Sequence, residues 1–301
     1  MTLRIACIGE AMVELSLEAS LESARIGFAG DALNTAIYLR RELPPAATVA
    51  FISAIGSDAL SDRMAAMIAA ERVDTTHLAR DPNRGTGLYA IRTDRSGERH
   101  FSYWRDTSAA RAMFEGPDAF AVVDRFDVIV LTAISLAILP VPTRDLLLDR
   151  IAAFRAAGGL FAFDSNYRPR LWSGPDEART VIGRVWRMTD IALPSLDDEM
   201  AIFGDADEGA VLSRLQGCGA IRGALKRGPR GPVALSGSAG AQTFAAAERV
   251  IDTTAAGDSF NAGYLAAILT GGDEAAALQQ GHACAIKVIG HRGAIVPLAQ
   301  W

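Results

Sequence analysis

Short apolar segments alternate with longer segments of helical spacing along most of this 301-residue chain. From Phe126 onward each predicted strand is followed by a predicted helix, in the pairs 126–133 with 143–157, 159–164 with 176–188, and 190–194 with 206–216. Strands that are apolar on both faces have to be covered on both faces, which is typical of a parallel sheet with helices packed on each side. The alternation therefore predicts an α/β fold with a mainly parallel sheet.

The two ends of the chain extend this pattern. Residues 4–9 and 48–55 are expected as buried strands, and 31–43 and 58–72 as helices. Near the C-terminus we expect short strands around 221–226, 232–236 and 242–246, and helices from 258 and from 273. The whole chain, 1–301, is expected to form a single domain.

Two segments in the middle of the chain have a different pattern. Residues 86–93 and 98–104 alternate polar and apolar side chains, and Asp94-Arg95-Ser96-Gly97 between them is a favourable hairpin turn. Half-polar strands of this kind belong to an antiparallel sheet with one solvated face. Together with an earlier segment they predict a small antiparallel β lid, formed discontinuously by about 12–28 and 86–104.

Composition and charge exclude several classes of partner. The formal net charge is −5 and there is no basic run, so neither nucleic acid nor an anionic membrane is expected as a partner. The three cysteines are far apart without a C-x-x-C, and the apolar start at 4–9 is too short for a signal-peptide core. We therefore expect a cytoplasmic location. Because the lid would leave one face open, we also expect a homodimer or a multiple of dimers.

The segment 252–263, with the sequence DTTAAGDSFNAG, has the residue types of a phosphate site. Small residues at 254–257 leave backbone N–H groups accessible, and a helix that begins there would add its dipole to make an anion site. Asp258 would then place a carboxylate beside the anion, where it could take a proton from a hydroxyl that attacks phosphorus. The alternative is an ordinary helix start with an Asp near its N-cap.

The same segment closely resembles the C-terminal signature of the ribokinase-like (PfkB) sugar kinases, D-T-x-A-A-G-D-x-F-x-A-G. The resemblance implies a ribokinase-like fold, ATP and Mg²⁺ as cofactors, and Asp258 as the catalytic base. It also implies that the backbone N–H groups of Ala255, Ala256 and Gly257 form the anion hole for the transferring phosphoryl group, where Gly257 meets the nucleotide.

A second cluster, around Gly30, Asp31 and Asn34, is suited to binding a polyol. Gly30 allows a close backbone approach, while a carboxylate and an amide one turn apart can hydrogen-bond sugar hydroxyls. Simple helix capping by Asp31 explains the segment as well. The resemblance supports the polyol clamp, although the family's first glycine is replaced here by Ala29.

The predicted lid contributes Tyr89, Tyr103 and Arg105. An arginine in a cleft can hold a carboxylate in bidentate fashion, whereas the alternative is a lid in which aromatic rings only pack. The surrounding sequence resembles that of 2-keto-3-deoxygluconate kinases within the same family. That resemblance implies that all three residues contact a sugar-acid substrate.

The segment Asp164 to Trp172 follows a predicted strand, and ligands bind at such strand ends in α/β sheets. Its four fixed positions match the D-x-N-x-R-x-x-x-W element of the family. By the resemblance Asn166 contacts the nucleotide, and Arg168 reaches the substrate or a phosphate. A strand-end turn with surface arginines is the alternative.

Lys226, Gly228 and Gly231 lie in a basic, glycine-rich loop that suits nucleotide phosphates. The loop is not a Walker A motif, and basic hairpin tips are common, so its residues alone are weak evidence for a nucleotide site. Its position in the sequence, before the DTTAAGD string, agrees with that of the family's ATP loop. Ser195 is expected at the nucleotide by the same resemblance. His282 is expected to line the adenine slot.

Two metal sites are implied by the resemblance. Ser195 and Asp198 stand where the family has Asn-x-x-Glu, so Asp198 is expected to help hold Mg²⁺ through water, although a Ser N-cap with an acidic first turn explains the segment equally well. Asp252 and Thr254, with the turn at 290–293, would fit the family's monovalent-cation site, which suggests K⁺.

The resemblance, which runs through most of the chain, implies an ATP-dependent carbohydrate kinase that converts 2-keto-3-deoxy-D-gluconate to its 6-phosphate. A kinase for fructose, ribose or an epimeric keto-deoxy sugar acid stays open as an alternative. A nucleotide-binding oxidoreductase is disfavoured because no G-x-G-x-x-G follows the first strand. A catalytically inactive sugar sensor is disfavoured because Asp258 and its small-residue turn are intact.

Overall fold

A computed structural model describes residues 2–301 except 19, 94–98, 117, 221 and 238. The hairpin turn predicted at Asp94–Gly97 therefore lies outside the described residues.

Most of the predicted strands and helices are present in the predicted order, and the structure adds short elements that were not predicted. The strands are β1 (Arg4–Ile8), β2 (Met12–Leu17), β3 (Ala24–Ala29), β4 (Thr48–Ile55), β5 (Leu78–Arg80), β6 (Gly87–Thr93), β7 (Arg99–Trp104), β8 (Val128–Thr132), β9 (Leu160–Asp164), β10 (Ile191–Ala192), β11 (Ala224–Leu225) and β12 (Val233–Ala234). The helices are α1 (Asp31–Glu42), α2 (Ala59–Ala70), α3 (Ala133–Ile138), α4 (Val141–Ala156), α5 (Pro175–Trp186), α6 (Leu196–Phe203), α7 (Glu208–Gly217), α8 (Ala256–Leu269) and α9 (Glu274–Ile289).

The central sheet confirms the predicted α/β class. Its strand order is β10-β9-β8-β1-β4-β5, and every neighbouring pair is parallel. Along β1 the side chains alternate between two apolar cores. Ile5 and Cys7 pack with α1 and α8 on one face, and Ala6 and Ile8 pack with α3 and α4 on the other. The sheet is thus covered on both faces, as its apolar strands require.

A smaller sheet has the order β3-β2-β6-β7 and contains the strands expected for the lid. The β2–β3 and β6–β7 pairs are antiparallel, but β2 and β6 run parallel, so the sheet is mixed rather than antiparallel throughout. The reason is topological. β2 continues from β1 and β6 follows β5, so both strands leave the same edge of the parallel central sheet in the same direction.

The strand predicted near 242–246 is not formed, and this prediction is wrong. Side chains of α9 bind the backbone there instead of a neighbouring strand. The Gln279 amide donates to the carbonyl of Thr243 at 3.0 Å, and His282 Nε2 lies 2.7 Å from the carbonyl oxygen of Ala245. These carbonyl groups, which would bond a neighbouring strand in a sheet, are therefore paired with side chains of α9.

Cys7, Cys218 and Cys284 are free thiols, and Cys7 and Cys284 are buried. Among the residues described, none of the helices combines the length and apolarity that crossing a membrane requires.

Candidate active site

The first turns of α1 and α8 bring two carboxylates close together. The α1 helix begins at Asp31, and Asp258 lies in the first turn of α8. Asn34, one turn into α1, donates from Nδ2 to Oδ2 of Asp258 at 2.8 Å. Thus Asp31, Asn34 and Asp258, which are far apart in the sequence, share one site at the carboxyl ends of the central strands.

Asp258 has a strongly perturbed carboxyl group. Its pKa is raised to about 7, first because the surrounding protein removes it from water and then because the negative charge of Asp31 is near. The hydrogen bond from Asn34 and the positive charge of Lys226 act in the opposite direction. A carboxyl group with this pKa can accept a proton near neutral pH and release it again.

Asp31 is held by two neighbouring strand ends. Oδ2 of Asp31 accepts a hydrogen bond from Thr132 Oγ1 at 2.5 Å and another from Asn166 Nδ2 at 3.0 Å. Burial raises the pKa of this carboxyl group, while the hydrogen bond from Thr132 opposes the shift. Asn166, predicted at the nucleotide, therefore has its side-chain amide on the carboxylate of Asp31, a residue predicted to bind the sugar.

Gly30, predicted at the sugar, packs closely against the backbone of Glu10. A Cβ at this position would lie 2.1 Å from the carbonyl oxygen of Glu10, which belongs to the backbone and cannot move aside easily. Its φ of 176° is ordinary extended backbone, so space rather than conformation requires glycine here.

Arg105 is only 8% exposed and forms an ion pair with Glu10, which is 1% exposed. The hydroxyl of Ser108 also donates to Glu10. Burial raises the pKa of the Glu10 carboxyl group, and the nearby charge of Arg105 opposes that shift. Sequence reasoning missed Glu10, although a buried acid immediately after Gly9 at the end of β1 is the signal that could have found it.

The aromatic side chains of the small sheet form a stacked row. Tyr89 and Tyr103 pair across β6 and β7, with ring centroids 5.9 Å apart. Tyr89 is buried and its hydroxyl donates to Glu14, whereas Tyr103 is 47% exposed. Glu14, opposite Tyr89 in β2, is a second residue that the sequence analysis did not identify.

Lys226 lies in a buried polar cluster. Its ammonium group donates to Oδ2 of Asp164 at 2.6 Å and to Oδ1 of Asn261 at 3.0 Å. Asn261 Nδ2 donates in turn to Oδ2 of Asp164 at 2.6 Å. A Cβ placed on Gly257 would be 3.7 Å from the Lys226 nitrogen. The loop lysine therefore reaches inward to the predicted anion hole.

A cavity of about 470 Å³ is bordered by both Lys226 and Gly257. The predicted nucleotide residues that line it are Lys226, Gly228, Gly231, Gly257 and His282. Its walls are otherwise mainly apolar, and its volume is typical of a small-molecule site. Asn166 and Ser195, also predicted to meet the nucleotide, do not line this cavity.

The turn before α8 has an unusual backbone. Ala255 adopts a left-handed conformation with φ 62°, which is costly for a residue with a Cβ. The first helical hydrogen bond runs from Ser259 N to Ala255 O at 2.9 Å, so the earlier N–H groups precede the helical ladder. Of these, Ala256 N already donates to Thr253 O at 3.2 Å, and an anion would have to compete with that bond.

Asp198 lies in the first turn of α6 near Asp164 and Arg168. Burial raises the pKa of Asp198, and the charge of Asp164 adds to the shift, while Arg168 and Lys226 oppose it. Ser195 is the N-cap residue of α6, and its N–H lies 3.5 Å from the hydroxyl of Ser165.

The residues present fit a magnesium ion that keeps most of its bound water, because few protein groups could contact it directly. No group of three His, Cys, Asp or Glu side chains is arranged to hold a metal ion among the described residues. Mg²⁺ generally keeps several waters and binds one or two carboxylates together with substrate phosphates. Asp198 and the nearby Asp164 are carboxylates of the kind that such an ion could meet, although neither lines the cavity.

Asp252 connects the two segments predicted for the monovalent cation. Oδ1 accepts hydrogen bonds from Thr254 N at 3.0 Å and Thr254 Oγ1 at 2.7 Å, and Oδ2 accepts one from Gly293 N at 2.9 Å. The structure thus brings Asp252, Thr254 and the turn at 290–293 together.

The chain belongs to a family of carbohydrate kinases, because the profile of the pfkB family carbohydrate kinases matches residues 2–301. Within that family it is similar to proteins named 2-dehydro-3-deoxygluconokinase. Identity is 43% to the protein from Escherichia coli (strain K12) and 44% to that from Dickeya dadantii (strain 3937), each over 99% of this chain and 98% of the relative.

Solved structures share the fold. A fructokinase double mutant from Vibrio cholerae O395, with fructose, ADP and potassium ion bound, has a TM-score of 0.81 at 22% identity over 97% of this chain and 94% of that chain. A ribokinase II candidate from E. coli in complex with ATP and Mg²⁺ has a TM-score of 0.81 at 20% identity over 98% of this chain and 94% of that chain. At this identity the likeness concerns the fold.

Proposed function

We propose that this carbohydrate kinase transfers the γ-phosphoryl group of ATP to the 6-hydroxyl of 2-keto-3-deoxy-D-gluconate. The observation that carries the proposal is the position of Asp258, between a nucleotide-sized cavity and the polar cluster of Asp31, Asn34 and Arg105. Relatives named for this activity, more than 40% identical over the full chain, support the choice of sugar acid.

In the proposed reaction Asp258 is the general base. The 6-hydroxyl oxygen bonds to the γ-phosphorus, the bond from that phosphorus to the bridging oxygen breaks, and ADP leaves. The hydroxyl proton passes to the Asp258 carboxylate, whose pKa of about 7 suits this role at neutral pH. The N–H groups of Ala255 and Gly257, with that of Ala256 if its turn opens, receive the phosphoryl oxygens.

The sugar acid lies, in this proposal, between the two clusters. Asp31 accepts hydrogen bonds from its hydroxyl groups and the amide of Asn34 donates to them, while Tyr89, Tyr103 and Arg105 cover it from the small sheet. Arg168 is exposed at the strand end and its charge reaches both Asp31 and Asp198, so it can meet an anionic group from the open side.

Nucleotide and metals follow the same geometry. The adenine base occupies the part of the cavity near His282, and the phosphates run past Gly228, Gly231 and Lys226 toward Gly257. Asn166 and Ser195 lie outside the cavity walls, so they would reach the nucleotide only through its phosphates. Asp198 would hold Mg²⁺ through water, and the ion would supply positive charge to neutralise the phosphates.

Potassium dependence is a separate part of the proposal. Asp252 and Thr254 would border a K⁺ ion next to the anion hole. Replacing KCl with choline chloride at constant ionic strength should then lower the rate, and equal rates in both salts would remove K⁺ from the proposal.

A neutral ketose is a second candidate substrate, because Glu10 already balances the charge of Arg105. A coupled assay of ADP release, run with 2-keto-3-deoxygluconate, its C4 epimer, fructose and ribose, separates the candidates. The proposal requires the highest kcat/KM for 2-keto-3-deoxygluconate. A higher value for fructose would overturn it and favour the neutral ketose.

We further propose that 1–301 acts as one domain whose small sheet closes as a lid and pairs with a second copy in the cytoplasm. Leu88 and Trp104 share the face opposite to Tyr89 and Tyr103, and Trp104 is 61% exposed. Light scattering at micromolar concentration should give a dimer or a multiple of dimers. A single-chain mass would show that this face is covered otherwise.

A further inference from the structure

Lys226 holds its amine at the boundary between the cavity and Asp258. The nitrogen is 2.6 Å from Asp164 and 3.0 Å from Asn261, and it faces Gly257, the residue directly before the proposed base. Its backbone is fixed as well, because Lys226 N donates to Pro194 O at 2.8 Å. The amine is thus positioned by strand ends rather than by a free loop tip.

We propose that Lys226 is a catalytic residue that stabilises the phosphoryl group during its transfer, and that Asn261 and Asp164 are positioning residues for its amine. The inference rests on the proposed kinase function and deepens it. It assigns the Lys226 amine to the oxygens of the phosphoryl group being transferred, rather than to nucleotide phosphates in general.

Hydrogen-bond capacity is the first argument. A lysine ammonium group has three N–H donors. Among the described residues it bonds two acceptors, Asp164 and Asn261, although the side chain is only 10% exposed. A buried third donor next to the anion hole lacks a protein acceptor in the described part of the chain, and a phosphoryl oxygen would provide one.

The choice of lysine is the second argument. The chain has 30 lysine and arginine residues, but only Lys226 and Lys287 are lysines. A compact ammonium group can bond three acceptors around one nitrogen, whereas the planar guanidinium group of arginine spreads its donors in a fixed fork. A site that needs one charge between Asp164, Asn261 and a phosphoryl oxygen is suited to lysine.

Electrostatics is the third argument. The positive charge of Lys226 lowers the pKa of both Asp258 and Asp198, so it acts on either side of the path of the phosphoryl group. Among the charged groups that act on the Asp258 carboxyl group, Asp31 and Asp164 are negative and Lys226 is positive. The lysine can therefore offset negative charge that gathers as the phosphorus–oxygen bond to ADP breaks.

The test compares Lys226→Met with Lys287→Met. Lys287 undergoes the same chemical change away from the site, where its amine lies 4.2 Å from the ring centre of Trp301. Lys226→Met should lower kcat by roughly 10²–10³-fold, as for loss of one charge-stabilising donor, and change the KM for ATP less than about threefold. It should also shift the acid limb of the pH–rate profile to higher pH, because Asp258 loses a positive neighbour.

A raised KM for ATP with an unchanged kcat would overturn the inference and leave Lys226 as a ground-state contact. Asn261→Leu, which removes one acceptor of the amine but keeps the side-chain volume and the charge of Lys226, should lower kcat by a smaller factor with little pH shift. It carries the test if Lys226→Met does not fold, which thermal unfolding by circular dichroism would show. An inactive wild-type protein would contradict the proposed function itself, whereas an active wild type with a normal kcat in the variants contradicts only the inference.

Discussion

Replacing Asp258 by Asn should make the protein more stable at alkaline pH while removing its activity. The folded structure raises the pKa of Asp258 to about 7, whereas an unfolded Asp titrates near about 3.9. A carboxyl group that binds its proton more tightly when folded costs stability as the pH rises from about 4 through about 7. The wild type therefore loses stability over this range, and the variant, which has no proton to lose at this position, does not.

The magnitude follows from the shift. Three pKa units at about 1.4 kcal/mol each give a cost of about 4 kcal/mol above pH 7, which partial solvent access reduces to roughly 2–4 kcal/mol. An Asn side chain at this position can still accept the hydrogen bond from Asn34 through its carbonyl oxygen. The gain in unfolding free energy should therefore be close to zero near pH 4 and reach this value at pH 8.5.

Urea unfolding of wild type and Asp258→Asn at pH 4.5 and 8.5 measures this difference. Asp58→Asn is the matched control, because N–H groups and the hydroxyl of Ser61 lower the pKa of the Asp58 carboxyl group at the N-cap of α2. The folded pKa of Asp58 and the pKa of an unfolded Asp, about 3.9, both lie below pH 4.5, so this variant should lose the same stability at both pH values. A pH-independent difference for Asp258→Asn would refute the claim that the folded site holds this carboxylate at a raised pKa.

The remaining predictions concern activity and packing. Asp258→Asn should lose roughly 10²–10⁴-fold in kcat, and a variant within about threefold of wild type would contradict the base assignment. In the wild type, kcat/KM should fall about tenfold per pH unit below the pKa of Asp258. A flat profile from pH 5 to 8 would contradict the same assignment. Arg105→Ala should raise the KM for the sugar acid far more than for fructose, and equal losses on both would leave Arg105 a packing role with Glu10. Gly30→Ala should lower the free energy of unfolding by roughly 1–3 kcal/mol, because its Cβ would meet the Glu10 carbonyl. Gly174→Ala, at a helix start with a similar φ and open space, should leave the free energy of unfolding unchanged in the same urea titration.

Much of the fold could be predicted because its signals are local. The alternation of apolar strands with helices reports burial on both faces of a sheet, and the string at 252–263 places a turn, a helix start and a carboxylate within a few residues. Short elements such as β5 and α3 were missed because they span too few residues for a period to be counted.

The polar network of the site could not be predicted in the same way. Glu10 and Ser108 are 98 positions apart, and Lys226 and Asp164 are 62 positions apart, so only the folded chain pairs them. Asn261 lies in an otherwise predictable helix, and its role depends on a lysine that approaches from another segment. The parallel β2–β6 pair likewise follows from the direction of the central strands rather than from its own alternating pattern.

The central claim is that the chain phosphorylates the 6-hydroxyl of a keto-deoxy sugar acid. Phosphorus NMR of the product formed from ATP and 2-keto-3-deoxy-D-gluconate, with coupling to the attached carbon protons, tests it most directly. The account predicts a phosphate ester on carbon 6, formed in proportion to ADP and absent with Asp258→Asn. A phosphate on another carbon, or ADP release without a sugar phosphate, would contradict it.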